Sequence, residues 1–84
     1  MSHAVSILSR AQHELEDLPQ DVYQRVAVAL RTLVDDPRPP GCQKLSGRDA
    51  WRIRVGDYRV LYEIDDRART VPVVHIGHRR DVYR

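Results

Sequence analysis

Much of what commonly carries chemistry is missing from this chain. It has one cysteine, Cys42, which can close neither an internal disulfide nor a structural zinc site and reads as a loop thiol. No apolar run approaches the roughly 18 residues needed to cross a bilayer, and Met1–Arg10 lacks the apolar stretch of a secretory signal. There is no glycine-rich phosphate loop, no Ser-His-Asp signature and no paired metal motif of the H-E-x-x-H kind. His75 and His78 are three apart, but on a strand that spacing puts their rings on opposite faces, against a shared metal. Length excludes as much again: 84 residues hold one domain, not two cores or a (β/α)8 barrel. The expectation is a small cytoplasmic domain without metal or cofactor.

What is present is arginine, unevenly placed. Residues 1–40 carry four arginines against six acidic residues, whereas residues 41–84 carry ten lysines and arginines against six. Nine of those ten cations are arginine, the side chain suited to bidentate phosphate recognition. The basic half points to an anionic partner, with a solvated mixed-charge surface as the plainer reading.

The elements follow from periodicity. His3–Leu8 alternates, with Val5 and Ile7 on one side, and predicts a short first strand. Ser9 and Gln12 fit a capping box, and Ala11, Leu15 and Leu18 then follow a helical stripe up to Pro19. Val22, Val26, Leu30, Leu33 and Val34 share one face of a helix predicted over 20–35, with Gln24, Arg25 and Arg31 turned away. Pro37 to Gly41 ends it and opens an irregular connection through Ser46-Gly47. Trp51–Val55 alternates cleanly, as does Tyr58–Ile64 in its first half, around Gly56-Asp57, a two-residue type II′ hairpin turn. Asp65-Asp66-Arg67 makes another turn, and Val71–Ile76 reads as an interior strand in which Pro72 is tolerable only near the start. The order β-α-α-β-β-β predicts an α+β domain, two helices covering one face of an antiparallel-rich sheet.

The hairpin register makes the arginines specific. With Gly56-Asp57 as the turn, Val55 faces Tyr58, Ile53 faces Val60 and Trp51 faces Tyr62, an apolar face. On the opposite side Arg54 lies across from Arg59, and Arg52 across from Leu61. Like charges in opposition cost something like 0.2–1 kcal/mol. Either the side chains splay into water, toward Asp57 or Glu63, or an anion sits between them and converts repulsion into charge-assisted hydrogen bonds. Farther on, Gly77 permits a bend, His78 is of the residue type suited to proton exchange, and Tyr83 either stacks on a base, hydrogen-bonds a phosphate or pins the C-terminus. His75, inside the apolar run, reads as a satisfied core or sheet-surface histidine, and His3 and His13 as surface residues without clear partners.

Lys44-Leu45-Ser46-Gly47, the run Trp51–Tyr62, Gly77-His78-Arg79 and Val82-Tyr83-Arg84 resemble the RelE branch of the RelE/ParE superfamily of bacterial toxins, over essentially the whole chain. The resemblance implies a microbial-ribonuclease-like fold and an endoribonuclease, or mRNA interferase, that cleaves messenger RNA in the ribosomal A site. It also implies a cognate antitoxin as partner and cleavage without a metal, by attack of a ribose 2′-hydroxyl on the adjacent phosphate. By the same resemblance Arg54, Arg59 and Arg79 are catalytic cations, Arg79 serving the leaving group and Tyr83 orienting the RNA. Arg52 contacts the message, with Lys44 and Arg80 beside it. Arg52 and Arg54 stand where the best-known member of the family carries lysines, and arginine is a poor base because it stays protonated. The proton acceptor expected from sequence is therefore His78 or Tyr83. Two other functions share this pattern: a ParE-like poison of DNA gyrase, and a degenerate toxin that retains only antitoxin binding.

Overall fold

In a computed structural model, which describes residues 2–82, the chain forms five strands and two helices. Strand β1 is Ala4–Ile7, helix α1 Ser9–Glu16, helix α2 Gln20–Asp35, strand β2 Gln43–Lys44, β3 Trp51–Val55, β4 Tyr58–Tyr62 and β5 Thr70–His78. They make one sheet in the order β1-β5-β4-β3-β2, with β1 parallel to β5 and every other pair antiparallel. The expected α+β architecture is present. The added element is β2, two residues of the Pro37–Gly47 connection that pair with Trp51 and Arg52.

Both helices lie against one face of the sheet. Ala11 and Leu15 of α1 and Val26, Leu30 and Leu33 of α2 pack on Ile53, Val55, Val60, Tyr62, Val71, Val73 and Ile76. Helix α2 has the span that its apolar stripe predicts. Helix α1 differs from expectation at both ends. Leu8 is its N-cap with no side-chain cap bond, so Ser9 is the first helical residue and the capping box does not form; the helix stops at Glu16, short of Leu18.

Two irregularities decide which side chains share a face. Val73 pairs with Tyr62 while His75 pairs with Leu61, so Val74 is the extra residue of a β-bulge. The bulge lets Val73 and Ile76, three apart, both enter the core, and it turns His75 to the opposite face, in one row with Leu61 and Arg52. Pro72 is the third residue of β5, inside the sheet. Its carbonyl accepts from Glu63 N–H at 3.0 Å, but it has no N–H to return. That missing bond lies just past Tyr62, where β4 ends.

Candidate functional site

The β3–β4 hairpin has the register read from the sequence: Val55 opposite Tyr58, Arg54 opposite Arg59, Ile53 opposite Val60, Arg52 opposite Leu61 and Trp51 opposite Tyr62. Gly56 has φ +59 and Asp57 is not in that region, which is the type II′ geometry. A two-residue turn makes Val55–Tyr58 a hydrogen-bonded pair. Arg54–Arg59 is then a non-hydrogen-bonded pair, the kind whose side chains come closest. Neither arginine finds an acid among the described residues. Arg59 Nη1 donates to the carbonyls of Gly56 (3.1 Å) and Tyr58 (2.9 Å), while Arg54 is exposed.

Arg79 joins this end of the sheet. Its backbone N–H donates to the Asp57 carbonyl at 2.8 Å, and its Nε lies 3.8 Å from the Asp57 carboxylate. Beyond it the chain turns back, with Asp81 N–H and Val82 N–H both donating to the His78 carbonyl. Val82 is buried there, and its Cβ lies 3.7 Å from where a side chain on Gly77 would begin. Arg80 is exposed. Arg25, expected only to turn away from the apolar stripe of α2, reaches over the turn, its guanidinium 3.1 Å from the position of a Cβ on Gly56. Its distance from Gly56 in sequence left no signal.

Three expected site residues sit elsewhere or differently. Lys44 pairs with Trp51 and so shares the helix side of the sheet, away from the Arg54–Arg59 row. His78 is in register with Tyr58 and Val55, also on that side; its ring makes an edge contact with Tyr58 and its Nδ1 accepts from Arg80 N–H at 3.2 Å. Arg52 faces the arginine side but is 9% exposed. It donates through Nη2 to Gln43, and Nη1 is buried without a partner. It borders a recess of about 410 Å³ that Gly41, Cys42, Gln43 and Arg54 also line. Tyr83 lies outside the described residues. His3 is not the unpartnered surface residue expected: its Nε2 meets the Asp66 carboxylate at 3.3 Å.

The register places His75 on the arginine face, one row from Arg59. Its Nδ1 is 2.6 Å and 2.8 Å from the two oxygens of Glu14, and its Nε2 is 3.3 Å from Arg10 Nη2. Only the Arg10–Glu14 spacing of four was visible beforehand; nothing local ties α1 to β5. Among the described residues no three of His, Cys, Asp and Glu gather as metal ligands.

This fold and chain have relatives. Residues 5–83 match the model of the ParE toxin of type II toxin–antitoxin systems. The chain belongs to that family. Toxin RelG of Mycobacterium tuberculosis is 33% identical over 88 residues, spanning 100% of this chain and 99% of its own, and toxin RelE of the same organism is 33% identical over 95% of this chain and 84% of its own. The RelE–RelB complex of Pyrococcus horikoshii superposes with TM-score 0.85 at 27% identity, over 98% of this chain and 100% of that one. The intact RelBE toxin–antitoxin complex of Escherichia coli gives 0.81 at 25% identity, over 92% and 96%. The protein is a RelE/ParE-superfamily toxin, and Arg52, Arg54 and Arg59 occupy the face of its sheet that the two helices leave open.

Proposed function

We propose that this toxin is a ribosome-dependent endoribonuclease that cuts messenger RNA without a metal. The observation that carries the reading is the Arg54–Arg59 pair, close by register and without an acid between them, with Arg79 fixed beside the same turn. The 2′-oxygen attacks the adjacent phosphorus, the bond to the 5′-oxygen breaks, and the products carry a 2′,3′-cyclic phosphate and a 5′-hydroxyl. Negative charge builds on the phosphorane oxygens, where preorganised guanidinium groups act most strongly. Arg54 and Arg59 hold that charge, and Arg79 faces the leaving oxygen. Arg52 fixes the edge of the site from its buried position. Arg80 and Lys44 contact flanking RNA or ribosome, His78 braces the strand end that carries Arg79, and Tyr83 orients the message.

The net charge of +2 is small for gripping free RNA, since non-specific affinity grows with the phosphates neutralised. A ribosome that binds and orients the message supplies what so small a protein lacks. The relatives crystallised with RelB support an antitoxin as the other partner, and an acidic segment laid across the arginines would inhibit by occupying the phosphate site.

The test is primer-extension mapping of message cleavage on purified translating ribosomes. Discrete cuts are expected with the wild type, reduced about a hundredfold or more by Arg79→Ala, and far slower cleavage of the same RNA free in solution. The ParE description of the matching family keeps gyrase poisoning as the rival. Absence of cuts from folded, antitoxin-free toxin, together with inhibited supercoiling, would establish the rival instead.

A further inference from the structure

We infer that His75, oriented by Glu14 and masked by Arg10, accepts the proton of the attacking 2′-hydroxyl. The inference rests on the ribonuclease reading and supplies what the arginines cannot. In register on the sheet face that carries Arg52, Arg54 and Arg59 are Leu61, Gly77 and His75. The other proton acceptor on that face, Glu63, stands a row farther from Arg59 and is exposed, with nothing among the described residues holding its carboxylate. His78 is on the helix side with its Nδ1 lone pair already used.

The support around His75 comes from how the sheet ends. Strand β1 makes its last bond to β5 where Leu8 N–H meets the Val73 carbonyl, and β5 continues beyond it. Glu14 fills the vacated edge. One of its oxygens accepts both from Ile76 N–H at 3.0 Å and from His75 Nδ1 at 2.8 Å. A carboxylate only accepts and a guanidinium only donates, so the two neighbours of the ring fix one tautomer. The proton sits on Nδ1, facing Glu14; the lone pair sits on Nε2, facing Arg10. This is the carboxylate–histidine arrangement in which the carboxylate orients the ring and stabilises the imidazolium that forms.

The ring is almost closed off, with 11% of its side chain exposed, and Arg10 is the movable part of its cover. Arg10 is 65% exposed; it holds Nε2 at 3.3 Å and Glu14 at a loose 3.6 Å. The groups facing His75 from α1 are Glu14 and Arg10, both charged. From β4 its register partner is Leu61, which is apolar, with Arg52 beyond it; the terminal turn brings the apolar Val82 against Gly77, two residues along β5. A phosphate arriving beside Arg59 competes for the Arg10 guanidinium and uncovers Nε2. The 2′-oxygen then gives its proton to Nε2 as it bonds to phosphorus. The 5′-oxygen departs beside Arg79 and is protonated by water, and the imidazolium charge rests against Glu14.

The experiment is single-turnover cleavage of ribosome-bound message across pH, with nitrogen NMR of the free toxin's histidine rings. Expected are a wild-type rate that rises as histidine loses its proton, and a His75→Gln rate lower by about 10²–10⁴-fold without that rise. Glu63→Gln should match wild type. NMR should show the Nδ1-protonated tautomer, and Glu14→Leu, which removes the accepting oxygen, should weaken that preference even if His75→Gln fails to fold. A folded His75→Gln that cleaves normally or keeps the pH rise, loss of the rise in Glu63→Gln, or an Nε2-protonated His75 would each overturn the inference. Any of these leaves the ribonuclease reading standing if wild type cuts. A wild type that does not cut removes both.

Discussion

Tyr62 shows how one side chain ties the open loop to the core. Its ring is fully buried among core side chains and its hydroxyl donates to the Pro37 carbonyl at 2.8 Å, anchoring the loop that follows α2. That loop is pinned a second time by Arg38, which lies 5.1 Å over the Trp51 ring and pairs with Asp66 at 2.9 Å. Tyr62→Phe keeps the ring but leaves the Pro37 carbonyl without its donor, a loss of about 1 kcal/mol. Urea denaturation should show a lower midpoint with an unchanged slope.

At the scale of elements, the proposed function sets activity against stability in the β3–β4 hairpin. Its apolar face packs on the helices, while its other face opposes Arg54 to Arg59 in the closest kind of cross-strand pair. Arg54→Thr removes the like-charge opposition and places a β-branched residue on a strand. The folded protein should gain about 0.2–1 kcal/mol in thermal or urea unfolding. The same variant should lose message cleavage, because the phosphate then meets one guanidinium in place of two. A variant that gained stability and still cleaved normally would remove Arg54 from the site.

For the whole molecule, pH acts through two groups whose affinities for protons are shifted. Burial, with further contributions from Cys42, pushes the Tyr62 hydroxyl well above its ordinary value. The unfolded chain therefore ionises this tyrosine above pH 10.0 while the native protein keeps its proton. Stability should fall with rising pH there, by up to about 1.4 kcal/mol per pH unit. Asp66 moves the other way, held below the ordinary carboxylate value of 3.8 chiefly by its hydrogen bonds from Arg38, and also by His3. Its contribution is present above 3.8 and is lost as pH falls through the lower native value. Because Asp66 is exposed, the acid effect should be much the smaller. Urea melts on both sides of neutrality, with Tyr62→Phe and Asp66→Asn as controls, check both limbs.

The elements with strong local signals were legible in the sequence. The 3.6-residue stripe from Val22 to Leu33 specified α2, and Gly56-Asp57 between two alternating runs specified both the turn and the Arg54–Arg59 opposition. These depend on neighbours in the chain, so periodicity and turn chemistry suffice. Tertiary structure alone decided the rest. Pairing of β1 with β5 joins segments more than sixty residues apart, and the bulge at Val74 then determines that His75, and not His78, shares a face with the arginines. Residue alternation within a strand cannot reveal a bulge whose signal lies in the partner strand. Nor can it show that β1 ends early enough for Glu14 to reach His75, or that Gln43 and its loop bury Arg52. The sequence therefore determined which cations the toxin has and which of them oppose one another on the hairpin; long-range register decided which proton acceptor stands beside them.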